Sequence, residues 1–235
     1  VDEPQALPAA APPLGRLVVI GLGLIGGSFA KGLRDKGLFR EVIGVDLDPE
    51  SRRMAVELGV VERCEEDLAL ACVGAVVIQL AVPILAMQKL LGALAQLPLG
   101  GAVLTDVGSA KGNVLRAAAE AFGRVPPCFV PGHPIAGSEQ SGVEASNAQL
   151  FRRHKVILTP LADTESAALQ LIDRLWRELG ADVEHMEVEH HDEVLAATSH
   201  LPHLLAFGLV DSLAKRSENL EIFRYAAGGF RDFTR

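Results

Sequence analysis

Cysteine is scarce in this sequence. Its 235 residues hold three, Cys64, Cys72 and Cys128, unevenly spaced and without a C-x-x-C pair. That excludes a disulfide framework and a dithiol redox motif, and it reads as reduced thiols in a cytoplasmic protein. Basic residues are in deficit as well: 22 Lys and Arg stand against 30 Asp and Glu, a formal net charge of −8. Such a chain argues against nucleic acid and against an anionic membrane as partners, so any anionic ligand must meet cations concentrated locally. G-x-S-x-G, a P-loop, zinc-ligand spacing and internal repeats are all missing. Residues 1–15 are Pro/Ala-rich and open with acids, which is a disordered tail and not a signal peptide. Residues 68–88 lack charge over a length that would span a bilayer. Gly74, Gln79 and Pro83 interrupt that run, which fits a buried parallel strand followed by a helix better.

What is present centres on residues 17–46. Four apolar residues, 17–20, form a short buried strand. Gly21, Gly23 and Gly26 then spell G-x-G-x-x-G, with Leu24 and Ile25 between the last two. Each glycine has a mechanical use: a tight turn, close approach of backbone to a pyrophosphate, and close packing of helix on strand. The pyrophosphate would lie at the helix N-terminus, where free N–H groups and the positive dipole end favour anions. The helix runs to about Lys36 and stops at Gly37. A second strand, residues 42–45, ends in Asp46, twenty residues after Gly26. A carboxylate at that spacing reaches the ribose hydroxyls of NAD and repels the 2′-phosphate of NADP. Arg52 and Arg53 lie nearby on the next helix.

Further along, strands are predicted at residues 75–80, 102–107, 127–131, 155–159 and 181–186, with helices between them. The pattern is α/β, a doubly wound parallel-sheet Rossmann domain over residues 16–187. From residue 188 a helical domain begins. HHDEVLAATSHLPHLLAFGLVDSLAK reads as one long helix, apolar nearly all round, with a kink expected at Pro202. Residues 189–235 are too few for a core of their own, so they must pack on the first domain, on a second subunit, or both. A homodimer built on this helix is expected.

Ligands of open α/β sheets bind beyond the carboxyl ends of the strands. Three such ends matter: Ala81–Val82–Pro83, which would face the cofactor; DVGSAKG with Asp106, Ser109 and Lys111; and PGHPIAGSEQSG with His133. Ser109 and His133 come from neighbouring strand ends and are placed to hydrogen-bond. A neutral imidazole takes a proton at working pH, and its activity would fall as the pH drops through about 6.5. The plainer alternatives are a loop histidine tied to backbone and a serine that caps a helix. Lys111 reads as a solvated first-turn lysine. His200 and His203, at i and i+3, share a helix face. They are either satisfied core residues or face a crevice holding an anionic substrate. Partner ligands for a metal are missing, and His190 and His191 read as solvated near the helix start.

GLGLIGGS, DVGSAKG, GHPIAGSEQSGVEA, TSHLPHLLAF and AAGGFRDFTR, in this order and spacing, resemble the prephenate/arogenate (cyclohexadienyl) dehydrogenases of tyrosine biosynthesis. The resemblance covers residues 17–235, and the last four motifs as a set are specific. It implies hydride transfer from a cyclohexadienol carbinol to NAD with loss of CO2 and aromatisation, giving 4-hydroxyphenylpyruvate, or tyrosine from arogenate. It implies His133 as the catalytic histidine and Ser109 as the serine that orients it. It further implies His200 and His203 on the substrate side and Arg235 on a substrate carboxylate, at the end of a glycine-led loop. Members are commonly homodimers through the helical domain, and many are inhibited by tyrosine. They continue beyond the FRDFTR motif, so the helical domain is expected to be incomplete at Arg235. Two other readings compete. A hydroxyacid dehydrogenase would use a lysine base on the helical domain, where this chain has none before Lys215. A non-catalytic NAD sensor would need the glycines and Asp46 but not Ser109 with His133.

Overall fold

The computed structural model describes residues 12–216 and 219–234. Strand β1 (Leu14–Ile20) starts inside the stretch expected to be tail, because Leu14 already pairs with Phe39 of β2 (Phe39–Val45). With β3 (Arg63–Cys64), β4 (Ala75–Leu80), β5 (Val103–Asp106) and β6 (Phe129–Val130) these strands form one parallel sheet in the order β3-β2-β1-β4-β5-β6. Helices α1 (Leu24–Asp35), α2 (Pro49–Glu57), α3 (Leu68–Cys72), α4 (Ile84–Leu94) and α5 (Lys111–Phe122) make the crossovers. The order reverses between β1 and β4, which opens a crevice at their carboxyl ends.

Strand pleating divides the interior into two cores. Leu17 and Val19 point into one, Val18 and Ile20 into the other. The first core is anchored by Trp176 of α6 (Ser166–Glu178), whose ring lies 4.6 Å from Phe29 and 4.9 Å from Phe151. The second stacks Met87, Leu91 and Val114 of α4 and α5 under Ile78 and Leu104.

The parallel sheet does not continue to residue 187 as one layer. β7 (Gly132–Pro134), β8 (Lys155–Leu158) and β9 (Asp182–His185) form a separate three-stranded sheet, with β7 antiparallel to β8. Pro131, which has no N–H to donate, separates β6 from β7, and its carbonyl accepts the Thr159 N–H at 3.0 Å. His133 therefore sits on a strand, not in a loop.

The long helix is three pieces: α7 (Val188–Leu195), a π-helical turn (Ala196–His200) and α8 (Leu201–Ala214). The Leu201 N–H reaches back five residues to the Ala196 carbonyl. Pro202 explains the widened turn. Its ring would strike the carbonyl four residues earlier, and it has no N–H to offer. The expected kink is absorbed in that turn while the helix carries on. In the single chain α8 is not buried on several sides: Leu204, Leu205 and Phe207 are 67 %, 55 % and 74 % exposed. The run Val188–Ala214 is long and apolar enough to cross a bilayer by length and composition alone. Its first turns, however, are fastened to α5 through Asp192. Helices α9 (Asn219–Arg224) and α10 (Gly228–Thr234) follow, so the glycine-led segment expected as a loop is helical up to Thr234.

Candidate active site

The crevice between β1 and β4 is built for a dinucleotide. Gly21 has φ +95°, and a Cβ there would overlap the Ala81 carbonyl. A Cβ on Gly26 would overlap the Gly21 carbonyl, so α1 lies directly on the turn. Gly23 differs: nothing lies within 4 Å of the position its Cβ would take. That open face, at the N-terminus of α1, is the cradle a pyrophosphate would fill. Leu24 and Ile25 form the first turn of α1. Ala81 follows β4 and packs on Gly26, Val82 is half-buried beside it, and Pro83 precedes α4.

Asp46 ends β2 and accepts the N–H of Leu22 at 2.7 Å and of Asp48 at 3.0 Å. Each oxygen keeps a lone pair for a ribose hydroxyl. The neighbouring arginines are engaged elsewhere. Arg52 donates to the carbonyls of Asp46 and Leu47 at 2.8 and 3.1 Å and pairs with Glu66. Arg53 pairs with Glu50 and Glu57 along α2. A substitution follows from the cradle. Gly23 has φ −70°, which alanine tolerates. Gly23→Ala is expected to change stability by no more than about 1 kcal/mol. It should weaken NAD binding by about tenfold, roughly 1.4 kcal/mol. Thermal unfolding and calorimetric titration with NAD check both halves.

On the same edge of the sheet, β5 ends in Asp106. Its Oδ2 accepts the Gly108 N–H at 2.8 Å and the Lys111 ammonium at 2.5 Å, and its Oδ1 accepts the Gly132 N–H at 3.3 Å. Lys111 Nζ also donates to the Gly132 carbonyl at 2.6 Å. Both side chains are fully buried. Lys111 is thus not a solvated lysine. It lies under β7, and with Asp106 it grips both polar groups of Gly132, the residue before His133. Burial pulls the Lys111 ammonium below its ordinary pKa, and Asp106 opposes that shift.

His133 is 9 % exposed and lines a cavity of about 500 Å³, together with residues 134–137, His154, Leu195, Thr198 and Ser199. Its Nδ1 lies 2.9 Å from Nε2 of His191, whose Nδ1 lies 2.8 Å from Oδ1 of Asp192. The Asp192 carboxylate in turn accepts the backbone N–H groups of Lys111 and Gly112, each at 2.8 Å. Burial lowers the His133 pKa to about 3, helped by the nearby Lys111 ammonium and opposed by Asp192. The imidazole is neutral at any working pH.

Several expectations are corrected here. His191 is fully buried, not solvated, because Val188, His191 and Leu195 form the inner face of α7. Among the described residues no hydrogen bond joins Ser109 to His133; His191 takes the ring instead. Ser109 does not cap α5 either. The cap position is Ala110, and Asp192 of α7 satisfies the helix's free N–H groups from across the chain. His200 is half-buried beside the cavity, and its Nε2 is buried without a hydrogen-bond partner among the described residues. His203, in α8, is exposed and is not among the residues lining that cavity. Arg235 lies outside the described residues.

Comparison with known proteins decides the family. Residues 29–185 match the family model for the prephenate dehydrogenase nucleotide-binding domain, and residues 187–235 match that for the prephenate dehydrogenase dimerization domain. The chain belongs to the prephenate dehydrogenase family. A cyclohexadienyl dehydrogenase from Zymomonas mobilis is 37 % identical over 227 residues, 93 % of this chain and 75 % of that protein. A prephenate dehydrogenase from Bacillus subtilis is 36 % identical over 223 residues, 93 % of this chain but 59 % of that one. The crystal structure of prephenate dehydrogenase from Aquifex aeolicus with hydroxyphenyl propionate and NAD+ superposes with a TM-score of 0.84 at 39 % identity, covering 94 % of this chain and 77 % of that one. This chain thus spans about three quarters of the Zymomonas mobilis protein's length and about three fifths of the Bacillus subtilis protein's. The boundary between the two family models falls just before α7, so the His133 strand and its partners His191 and Asp192 come from different halves.

Proposed function

We propose that this chain catalyses the NAD-dependent oxidative decarboxylation of prephenate, arogenate or both. The observation that carries this reading is His133: a buried, neutral imidazole on a cavity wall, at the sheet edge that also holds the dinucleotide cradle. NAD bound there supplies the hydride acceptor. Gly21, Gly23, Leu24, Ile25 and Gly26 hold its pyrophosphate, Asp46 its ribose, and residues 81–83 the face toward the substrate.

His133 accepts a hydrogen bond from the carbinol hydroxyl and keeps that oxygen oriented. As the carbinol carbon loses hydride, its oxygen becomes a protonated carbonyl, a far stronger acid than imidazolium. Even a base with a pKa of about 3 takes that proton. The bond to the ring carboxylate then breaks, CO2 leaves, and its electron pair closes the aromatic ring as a phenolate. His133 returns the proton to that oxygen, so the step releases no net proton. His200 is assigned to the substrate because its buried Nε2 has no hydrogen-bond partner among the described residues. Ser109 toward the hydroxyl, His203 on the substrate side and Arg235 toward a substrate carboxylate rest on the motif resemblance. We place the protein in the cytoplasm, in keeping with three free cysteines. A second copy of the chain covers Leu204, Leu205 and Phe207, giving a homodimer through the segment that matches a dimerization domain.

Steady-state assays with each substrate, following reduced nicotinamide and CO2 together, test the reading. Turnover of neither substrate sinks it. With Asp46 at the ribose and both nearby arginines paired, kcat/KM for NAD should exceed that for NADP by about tenfold, roughly 1.4 kcal/mol. Equal values would show that Arg52 leaves Glu66 to meet the 2′-phosphate.

A further inference from the structure

The three groups behind His133 have a defined proton order. Asp192 is the starting point. Burial pushes its carboxyl up, but the Gly112 and Lys111 N–H groups and the His191 ring outweigh that and hold it below the usual carboxylate range. An ionised carboxylate only accepts, so the proton in the 2.8 Å contact to His191 is on His191 Nδ1. His191 is itself kept neutral: burial lowers its pKa, and Lys111 acts in the same direction against Asp192. A neutral imidazole with a proton on Nδ1 has a bare Nε2, which must accept. The donor in the 2.9 Å contact is then Nδ1–H of His133. His133 is neutral too, so its remaining nitrogen, Nε2, carries no proton.

We propose that His191 and Asp192 are positioning residues that lock His133 in its Nδ1–H form, so that a bare Nε2 is presented to the cavity as the proton acceptor. The opposite form would offer an N–H to the substrate hydroxyl and could not take its proton. Asp192 is well placed as the anchor because its other contacts are backbone N–H groups of α5, which are always donors. The lock spans the two halves of the chain, from α5 through α7 to β7. The charged or titratable groups acting on His133 are Lys111 from α5, His191 and Asp192 from α7, and His200 from the π turn, with His154 sharing the cavity.

The role in catalysis rests on the function proposed above; the tautomer does not. The first arm is therefore nuclear magnetic resonance of the ligand-free, histidine-15N-labelled protein at pH 7, with the His133 signals assigned by their loss in His133→Asn. A protonated Nδ1 and an unprotonated Nε2 are expected. A protonated Nε2 on His133 overturns the proposal whatever the substrate proves to be. The second arm compares His191→Leu with His191→Gln. Glutamine places an amide oxygen where Nε2 stood and still accepts from His133; leucine cannot. His191→Leu should convert His133 to the Nε2–H form and lower kcat by about tenfold or more, with NAD affinity unchanged, whereas His191→Gln should keep the tautomer and most of kcat. A purely structural role would damage both variants alike and leave the tautomer unmoved, and that result would refute the lock. If the wild type shows the expected tautomer but turns over neither cyclohexadienol, the functional reading fails and the lock stands.

Discussion

Replacing His133 by asparagine is expected to lower kcat by about 10²–10⁴-fold while leaving the dissociation constant for NAD unchanged. Asparagine is the informative choice. Its amide nitrogen falls close to the place of Nδ1 and still donates to His191 Nε2, so the link to α7 survives. Its side chain cannot take a proton from a hydroxyl. A loss in kcat alone therefore isolates proton transfer from packing. The pH profile adds a second check. A lone loop imidazole would lose activity below about pH 6.5. Here burial and the Lys111 ammonium drive the His133 pKa down to about 3, so the neutral base persists far into acid. The acid limb of kcat/KM should accordingly lie well below 6.5 and be set by other groups or by unfolding. The sign for stability is the reverse of that for a histidine held charged in an ion pair. Between about pH 6.5 and 3 the unfolded chain binds a proton that folded His133 refuses, so stability declines as the pH falls through that window. An asparagine variant within a few-fold of wild type would remove His133 from the chemistry.

The parts of this site that were legible in the sequence are those whose geometry is local. The cradle is one turn between a strand and a helix, and G-x-G-x-x-G states its steric needs directly: two glycines where a Cβ would overlap backbone, one with open space beside it. Asp46 was legible because a βαβ unit fixes its distance from the turn. His133 was legible from its motif, but its surroundings were not, because they are long-range. The ring's partner, His191, is 58 residues away, and the cap of α5, Asp192, is 81 residues from Lys111. A sequence shows His190, His191 and Asp192 as a polar helix start; only the phase Val188–His191–Leu195 hinted that one of them faces inward. The second sheet escaped because its strands have three or four residues each and pair across long gaps. The apolar girth of α8 reads as a need for cover, and among the described residues Leu204, Leu205 and Phe207 are left exposed.

Lys111→Met is expected to destabilise the protein by about 3–5 kcal/mol, the usual result of removing one partner from a buried ion pair. For a chain of this size that corresponds to a fall in Tm of roughly 6–20 °C, at about 2–4 °C per kcal/mol. The cause is specific. Asp106 and Lys111 are both fully buried, 2.5 Å apart. Methionine fills much of the lysine's volume, so packing changes little. What it removes is the cation facing Asp106 and the donor that binds the Gly132 carbonyl. Asp106 keeps the N–H groups of Gly108 and Gly132, which soften the loss but do not neutralise its charge. The usual rescue, replacing both partners by apolar residues, should fail at this pair. Asp106→Leu in the Lys111→Met background would leave those two buried N–H groups without an acceptor, each costing about 1–3 kcal/mol. The double variant should therefore be no more stable than the single one. Because Lys111 is also one of the charges holding His133 neutral, its removal should let the His133 pKa rise toward its ordinary value. Thermal unfolding of both variants, together with titration of His133, checks the argument. A Lys111→Met protein that melts within about 2 °C of wild type would mean that Asp106 needs no cation. The grip on Gly132 would then be simple hydrogen bonding, with Lys111 contributing no charge to the site.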